Sequence, residues 1–123
     1  MREVSLSDFL ILKKRIMSSD LDVLIISGSM EPFIGTNEKI LVSNIENINE
    51  LKKYTPIVFH QENKLVCHMF IEWITKNEQT HFISKGISSS KYDEPTRADN
   101  ILGVVKSPKM TFLKRIFLRV FFK

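Results

Sequence analysis

The chain has 123 residues, of which 43% are hydrophobic and 26% charged, a composition typical of a globular domain and unlike that of disordered or collagen-like chains. Its single cysteine, Cys67, excludes an intrachain disulfide, and no Cys/His cluster has the spacing of a zinc site. The net charge of +4 is concentrated between Lys106 and Lys123, which favours contact with a membrane or a partner over readout of nucleic acid. The length predicts one domain, and no metal or cofactor is expected.

The sequence predicts an amphipathic helix at 5–18, capped by Ser5 or Ser7. A polar segment with one helical turn is predicted at 44–53, and a loop at 87–100. Residues Gln61-Glu62-Asn63 are expected to turn a hairpin. Strands are predicted at 20–27, 39–43, 56–60, 64–73, 79–84 and 101–106.

This order of elements predicts a mainly β fold, a small α+β domain with flanking N- and C-terminal helices. One domain covers 1–123, with an N-terminal helix in 1–20, a β core at 21–106 and a basic amphipathic helix at 107–123. The last helix has an apolar face formed by Leu113, Ile116, Phe117, Val120 and Phe121. This pattern fits an interfacial membrane anchor over 109–123 and equally a helix packed on the domain.

No stretch reaches the roughly 20 apolar residues that span a bilayer. Any membrane contact is therefore expected at the surface. The expected location is cytoplasmic, or peripheral at the cytoplasmic membrane, with the side of the membrane left open.

The informative motif is the hexapeptide at 27–32, Ser-Gly-Ser-Met-Glu-Pro, at the end of a predicted strand. A serine that follows glycine at the end of a strand can hold its hydroxyl away from the sheet. Its own N–H is then available to bind an oxyanion. Gly-Ser pairs are also common in ordinary turns, so the turn alone does not establish a nucleophile.

The sequence of the hexapeptide resembles the motif that contains the nucleophile in the signal peptidase and LexA-like serine peptidases. Later segments match that superfamily in order, so the resemblance covers about 21–106. The matching segments are Asn37-Glu38-Lys39-Ile40-Leu41-Val42, Ile57-Val58-Phe59, Leu65-Val66-Cys67-His68, Phe82-Ile83-Ser84-Lys85-Gly86 and Ile101-Leu102-Gly103-Val104-Val105. His68 stands where ordinary bacterial signal peptidases have lysine, which places the resemblance in the histidine-type branch (endoplasmic-reticulum and archaeal-like), as a small member without a transmembrane helix. The fold implied is a folded sheet or partial barrel.

The resemblance implies a catalytic role for Ser29, His68 and Asp93. Ser29 would be the nucleophile, and His68 the general base, for which histidine suits because its imidazole titrates near neutral pH. Counting from Lys85-Gly86, Asp93 falls where the histidine branch has an aspartate that orients the imidazole. Lys85 is the second choice for the base.

The remaining site residues surround the nucleophile. Ser27 would bind the oxyanion together with the backbone N–H of Ser29, and Met30 and Pro32 would shape the substrate cleft. His60 and His81 have no motif around them and are interpreted as surface residues.

The predicted function is a serine endopeptidase that removes a leader, signal or propeptide from a peptide or protein substrate. One alternative is a catalytically silent peptide-binding module of the same fold, suggested by Met69 and Ile87 where the family has Arg and Asp. A LexA-like self-cleaving regulator ranks lower, because about two dozen residues before Ser27 are too few for a helix-turn-helix domain. A basic nucleic-acid binder ranks lowest.

Overall fold

The structure is a computed structural model, and it describes residues 3–25, 38–87 and 89–107. Within these ranges the chain forms an antiparallel sheet with strand order β1-β2-β7-β3-β4-β5-β6 and one N-terminal helix. The elements are α1 (Leu6–Ile16), β1 (Leu21–Ile25), β2 (Glu38–Ser43), β3 (Pro56–Gln61), β4 (Lys64–Lys76), β5 (Gln79–Lys85), β6 (Thr96–Arg97), β7 (Ile101–Ser107) and two 3-10 helices, Ile48–Glu50 and Ala98–Asn100. The mainly β prediction is confirmed, as a curled half-barrel sheet.

The two faces of this sheet carry separate apolar clusters, because successive strand residues point to opposite faces. The helix-side cluster lies under α1 and consists of Phe9, Ile16, Ile40, Val42, Val58, Cys67, Met69, Ile87 and Leu102. The aromatic cluster lies on the other face and consists of Ile57, Phe59, Phe70, Phe82 and Ile101. The candidate site is built on the aromatic face.

Helix α1 begins at the predicted cap, where Ser5 Oγ accepts the N–H of Asp8 at 3.2 Å. The interpretation of His60 as a surface residue was wrong, because its side chain is buried beneath the start of this helix. Its ring stacks on Phe9 with centroids 4.8 Å apart, and Nε2–H donates to the carbonyl of Val4 at 2.6 Å. A polar residue on a buried strand is therefore used here to hold the helix on the sheet.

The element boundaries differ from the predictions at two turns. Glu62 and Asn63 alone form the β3–β4 turn, both with positive φ, which is the backbone of a two-residue type I′ hairpin rather than of the predicted three-residue loop. The predicted loop at 87–100 contains β6 and the 3-10 helix Ala98–Asn100. A strand of two residues is too short to leave a periodic pattern in the sequence.

Gly103 stands in the middle of β7, where this strand is packed between neighbouring strands and α1. A Cβ atom at this position would clash with the carbonyl oxygen of Ser43 and lie 2.9 Å from both Ile16 Cδ1 and Val42 Cγ1. Gly103 is therefore required because β2 and α1 approach β7 closely at this position. Apart from Ser107, the predicted C-terminal helix at 107–123 lies outside the described residues, and the division into three segments stays a prediction.

Candidate active site

His68 projects from β4 on the aromatic face of the sheet, the same face as its cross-strand partner Ile57. Its ring meets Phe59 edge-on, with centroids 6.0 Å apart, and its side chain is 16% exposed. Nδ1 lies 2.5 Å from Oδ2 of Asp93, which stands in the loop after β5. The structure thus brings together two of the predicted catalytic side chains, which are 25 residues apart in the chain.

A third side chain, Ser84 of β5, completes this arrangement. Ser84 Oγ donates a hydrogen bond of 2.6 Å to Oδ2 of Asp93, the same oxygen that His68 contacts. The backbone N–H of Asp93 in turn donates to the carbonyl of Ser84 at 2.8 Å. Sequence reasoning did not identify Ser84 as a site residue. The one sequence feature that could have indicated Ser84 is that it carries a hydroxyl group and directly precedes Lys85-Gly86.

The electrostatic environment keeps the carboxyl group of Asp93 ionised. Burial by itself raises the pKa of Asp93, but the hydrogen bonds from His68 and Ser84 and the positive charges of His68 and Lys85 outweigh it and hold this pKa below its ordinary value. An ionised carboxylate only accepts hydrogen bonds, so His68 must carry a proton on Nδ1. A neutral imidazole then has its lone pair on Nε2, the atom through which a general base acts.

Lys85, the second choice for the base, is buried on β5 and paired in register with Met69. Its side chain therefore leaves the sheet on the helix-side face, opposite to His68. Its Nζ donates to the carbonyl of Ser89. Burial lowers the pKa of the Lys85 amine, and the Asp93 carboxylate offsets part of this effect. The structure thus separates the two candidate bases by sheet face.

The predicted nucleophile and the residues around it, Ser27, Ser29, Met30 and Pro32, lie outside the described residues. The segment 26–37 that contains them connects β1 to β2, which are antiparallel neighbours with Ile25 opposite Glu38. The roles of these residues stay predictions.

Ile87, which suggested a silent module because the family has an acidic residue there, is buried in the helix-side cluster. A carboxylate at this position would be buried among apolar side chains, which is unfavourable without a partner. The apolar side chain is therefore explained by packing. Asp93 supplies the carboxylate next to His68 instead.

No profile of a known protein family matches the chain. Over 79 residues the chain is 33% identical to Signal peptidase I W of Bacillus subtilis (strain 168). The chain is similar to a signal peptidase I. The match covers 63% of this chain and 42% of that protein, so it spans less than half the length of the relative. It suggests a relationship to the signal peptidase I-like family.

In the part of the chain that the structure describes, no helix is long and apolar enough to cross a bilayer. Within the same residues, no three His, Cys, Asp or Glu side chains are grouped so as to bind a metal ion. The side chains in contact at the described site are the imidazole of His68, the carboxylate of Asp93 and the hydroxyl of Ser84.

Proposed function

We propose that this chain is a serine peptidase of the histidine-type branch that removes a leader, signal or propeptide from a dedicated substrate. The observation that carries the proposal is the 2.5 Å contact between Nδ1 of His68 and Oδ2 of Asp93, which fixes the tautomer that a general base requires. The similarity to Signal peptidase I W supports the same reaction class. Both side chains are partly exposed, at 16% and 22%, so a substrate has access to them.

In the proposed reaction, Ser29 Oγ attacks the carbonyl carbon of the scissile peptide while Nε2 of His68 takes the hydroxyl proton. Asp93 stabilises the imidazolium that forms. The oxyanion is bound by the N–H of Ser29 and the hydroxyl of Ser27, each such donor contributing about 3 kcal/mol to the lowering of the barrier. The C–N bond then breaks, and the imidazolium gives its proton to the leaving amine. Water, deprotonated by His68, hydrolyses the acyl-enzyme and restores Ser29.

The substrate is proposed to bind in an extended conformation beside β1, which forms one edge of the described sheet. An edge strand offers backbone donors and acceptors to an added peptide strand. From the resemblance, Met30 and Pro32 shape the cleft, and small side chains are preferred next to the cleaved bond.

The experiment that tests the proposal is a mass-spectrometric digest of a diverse peptide mixture, with lipid or detergent present, comparing the wild type with Ser29→Ala. Cuts made by the wild type and absent with Ser29→Ala are the expected result, and their flanking residues define the substrate preference. Equal cutting by both proteins would contradict the assignment of Ser29. Peptide binding without cuts by either protein would favour the silent binding module.

We further propose that the protein works at an anionic membrane surface. Helix α1 and its C-cap expose Leu6, Leu10 and Met17 along one side, at 60%, 56% and 74%. Contiguous exposed apolar side chains mark sites of contact with a partner or a membrane. Lys13, Lys14 and Arg15 stand in its last turn and match the charge of anionic lipids. The predicted basic helix at 109–123 would add to this contact.

This membrane contact predicts sedimentation with phosphatidylglycerol vesicles and not with phosphatidylcholine vesicles. The double change Leu10→Ser and Met17→Ser is expected to weaken this binding about tenfold through loss of apolar contact. Ile11→Ser is the matched control, because Ile11 is also exposed, at 53%, but lies about 100° around the helix from Leu10. Equal losses in both variants would contradict a contact through this side of α1.

A further inference from the structure

We propose that Ser84 is a positioning residue that holds Asp93 against His68. This inference rests on the proposed function. Ser84 is fully buried, with 0% exposure, on the aromatic face of the sheet opposite Phe70. A buried hydroxyl in such surroundings is costly unless it is hydrogen-bonded, and the bond it makes is to the Asp93 carboxylate.

The geometry of this bond defines the role. Ser84 Oγ and His68 Nδ1 both donate to Oδ2 of Asp93, at 2.6 Å and 2.5 Å, so one carboxylate oxygen is held between two donors from neighbouring strands. Charge-assisted bonds of this kind are about twice as strong as bonds between neutral groups. Because both donors share this oxygen, a displacement of Oδ2 changes both hydrogen bonds.

The backbone reinforces this arrangement. The N–H of Asp93 donates to the carbonyl of Ser84 at 2.8 Å, so both the main chain and the side chain of Asp93 are attached to the same residue of β5. Earlier in the same loop, the carbonyl of Ser89 accepts a hydrogen bond from Lys85. The loop that carries Asp93 is therefore bound to β5 at two points, Ser89 and Asp93.

A purely structural serine and a positioning serine differ in their effect on titration. The Ser84 hydroxyl stabilises the ionised carboxylate, and the titratable groups that face Asp93 in the described residues are His68 from β4 and Lys85 from β5. Without the hydroxyl, the Asp93 carboxylate loses one of the hydrogen bonds that stabilise its ionised form, so the pKa of Asp93 is expected to rise.

The test compares the wild type with Ser84→Ala and Ser84→Thr, the second of which keeps the hydroxyl. In Ser84→Ala, kcat is expected to fall about 10- to 100-fold with KM unchanged, the range that loss of a hydrogen bond to a charged group allows. Ser84→Thr is expected to restore kcat. The control is Thr96→Val, which removes a buried hydroxyl of β6 that donates to the carbonyl of Glu94 and not to Asp93.

A second measurement is independent of activity. The titration of the Asp93 carboxyl group, followed by NMR, is expected to shift to higher pH in Ser84→Ala and not in Thr96→Val. An unmoved Asp93 titration would overturn the proposal even if kcat fell. If the wild type cleaved no peptide, the proposed function would fail, while the NMR titration would still decide the role of Ser84. Should Ser84→Ala not fold, Ser84→Cys, a weak donor of similar size, is expected to give a smaller shift in the same direction.

Discussion

Replacement of His68 by alanine is expected to lower kcat about 10⁶-fold, as far as replacement of Ser29 does, because nucleophile and base act as one unit. The expectation follows from the contact with Asp93, which requires Nδ1–H and therefore leaves the basic lone pair on Nε2, the atom that takes the proton in the proposed reaction. The measurement is single-turnover cleavage of a peptide identified in the wild-type digest. The double variant Ser29→Ala with His68→Ala is expected to be no slower than either single variant.

Lys85→Met provides the matched comparison, since it removes the other candidate base and keeps an apolar stem of similar length in a buried position. A loss of about tenfold or less is expected, through the lost bond to the Ser89 carbonyl. The reverse ranking, with Lys85→Met inactive and His68→Ala active, would assign the base to Lys85. Circular dichroism of both variants checks that the sheet is intact.

Much of the fold was accessible from the sequence because its signals are local. The possible caps at Ser5 or Ser7 and the helical spacing of side chains from Leu6 to Met17 predicted α1, and the apolar β-branched runs predicted the longer strands. Two-residue β6 left no such signal, since its pairing with His81 and Phe82 depends on contacts made only in the folded chain. Local periodicity therefore identified every strand of five residues or more among the described residues.

The site was accessible only in part, for a different reason. The motif around His68 and the count from Lys85-Gly86 indicated Asp93, and the structure places these side chains in contact. Ser84 and His60 were missed because both are polar residues on buried strands, and periodicity tells which face a residue occupies but not which partner it finds there. Burial of a polar group requires a partner, so each of these contacts emerged only from the tertiary structure.

Replacement of Asp93 by asparagine is expected to lower kcat about 10³-fold, and replacement by alanine about 10⁴-fold. The two differ because Ser84 and His68 donate to a single oxygen, which the amide carbonyl of asparagine can replace, so the tautomer of His68 is retained while the charge that stabilises the imidazolium is lost. The control is Asp99→Asn, at an exposed aspartate paired with Arg97, for which kcat is expected to stay within about twofold. Equal losses in Asp93→Asn and Asp93→Ala would contradict the shared-oxygen geometry.

The same asparagine variant is expected to change the acid stability of the fold. The pKa of Asp93 is lower in the folded protein than the ordinary value of about 3.9, so its ionised form stabilises the fold at pH values above that ordinary value. This contribution is lost as the pH falls through the lowered pKa of the folded state. Urea unfolding should therefore show a lower free energy of unfolding for Asp93→Asn than for the wild type at pH 7, and a difference that shrinks steadily below about pH 4. A difference that stayed constant down to pH 2 would mean that packing of the side chain, and not its charge, holds the loop against β5.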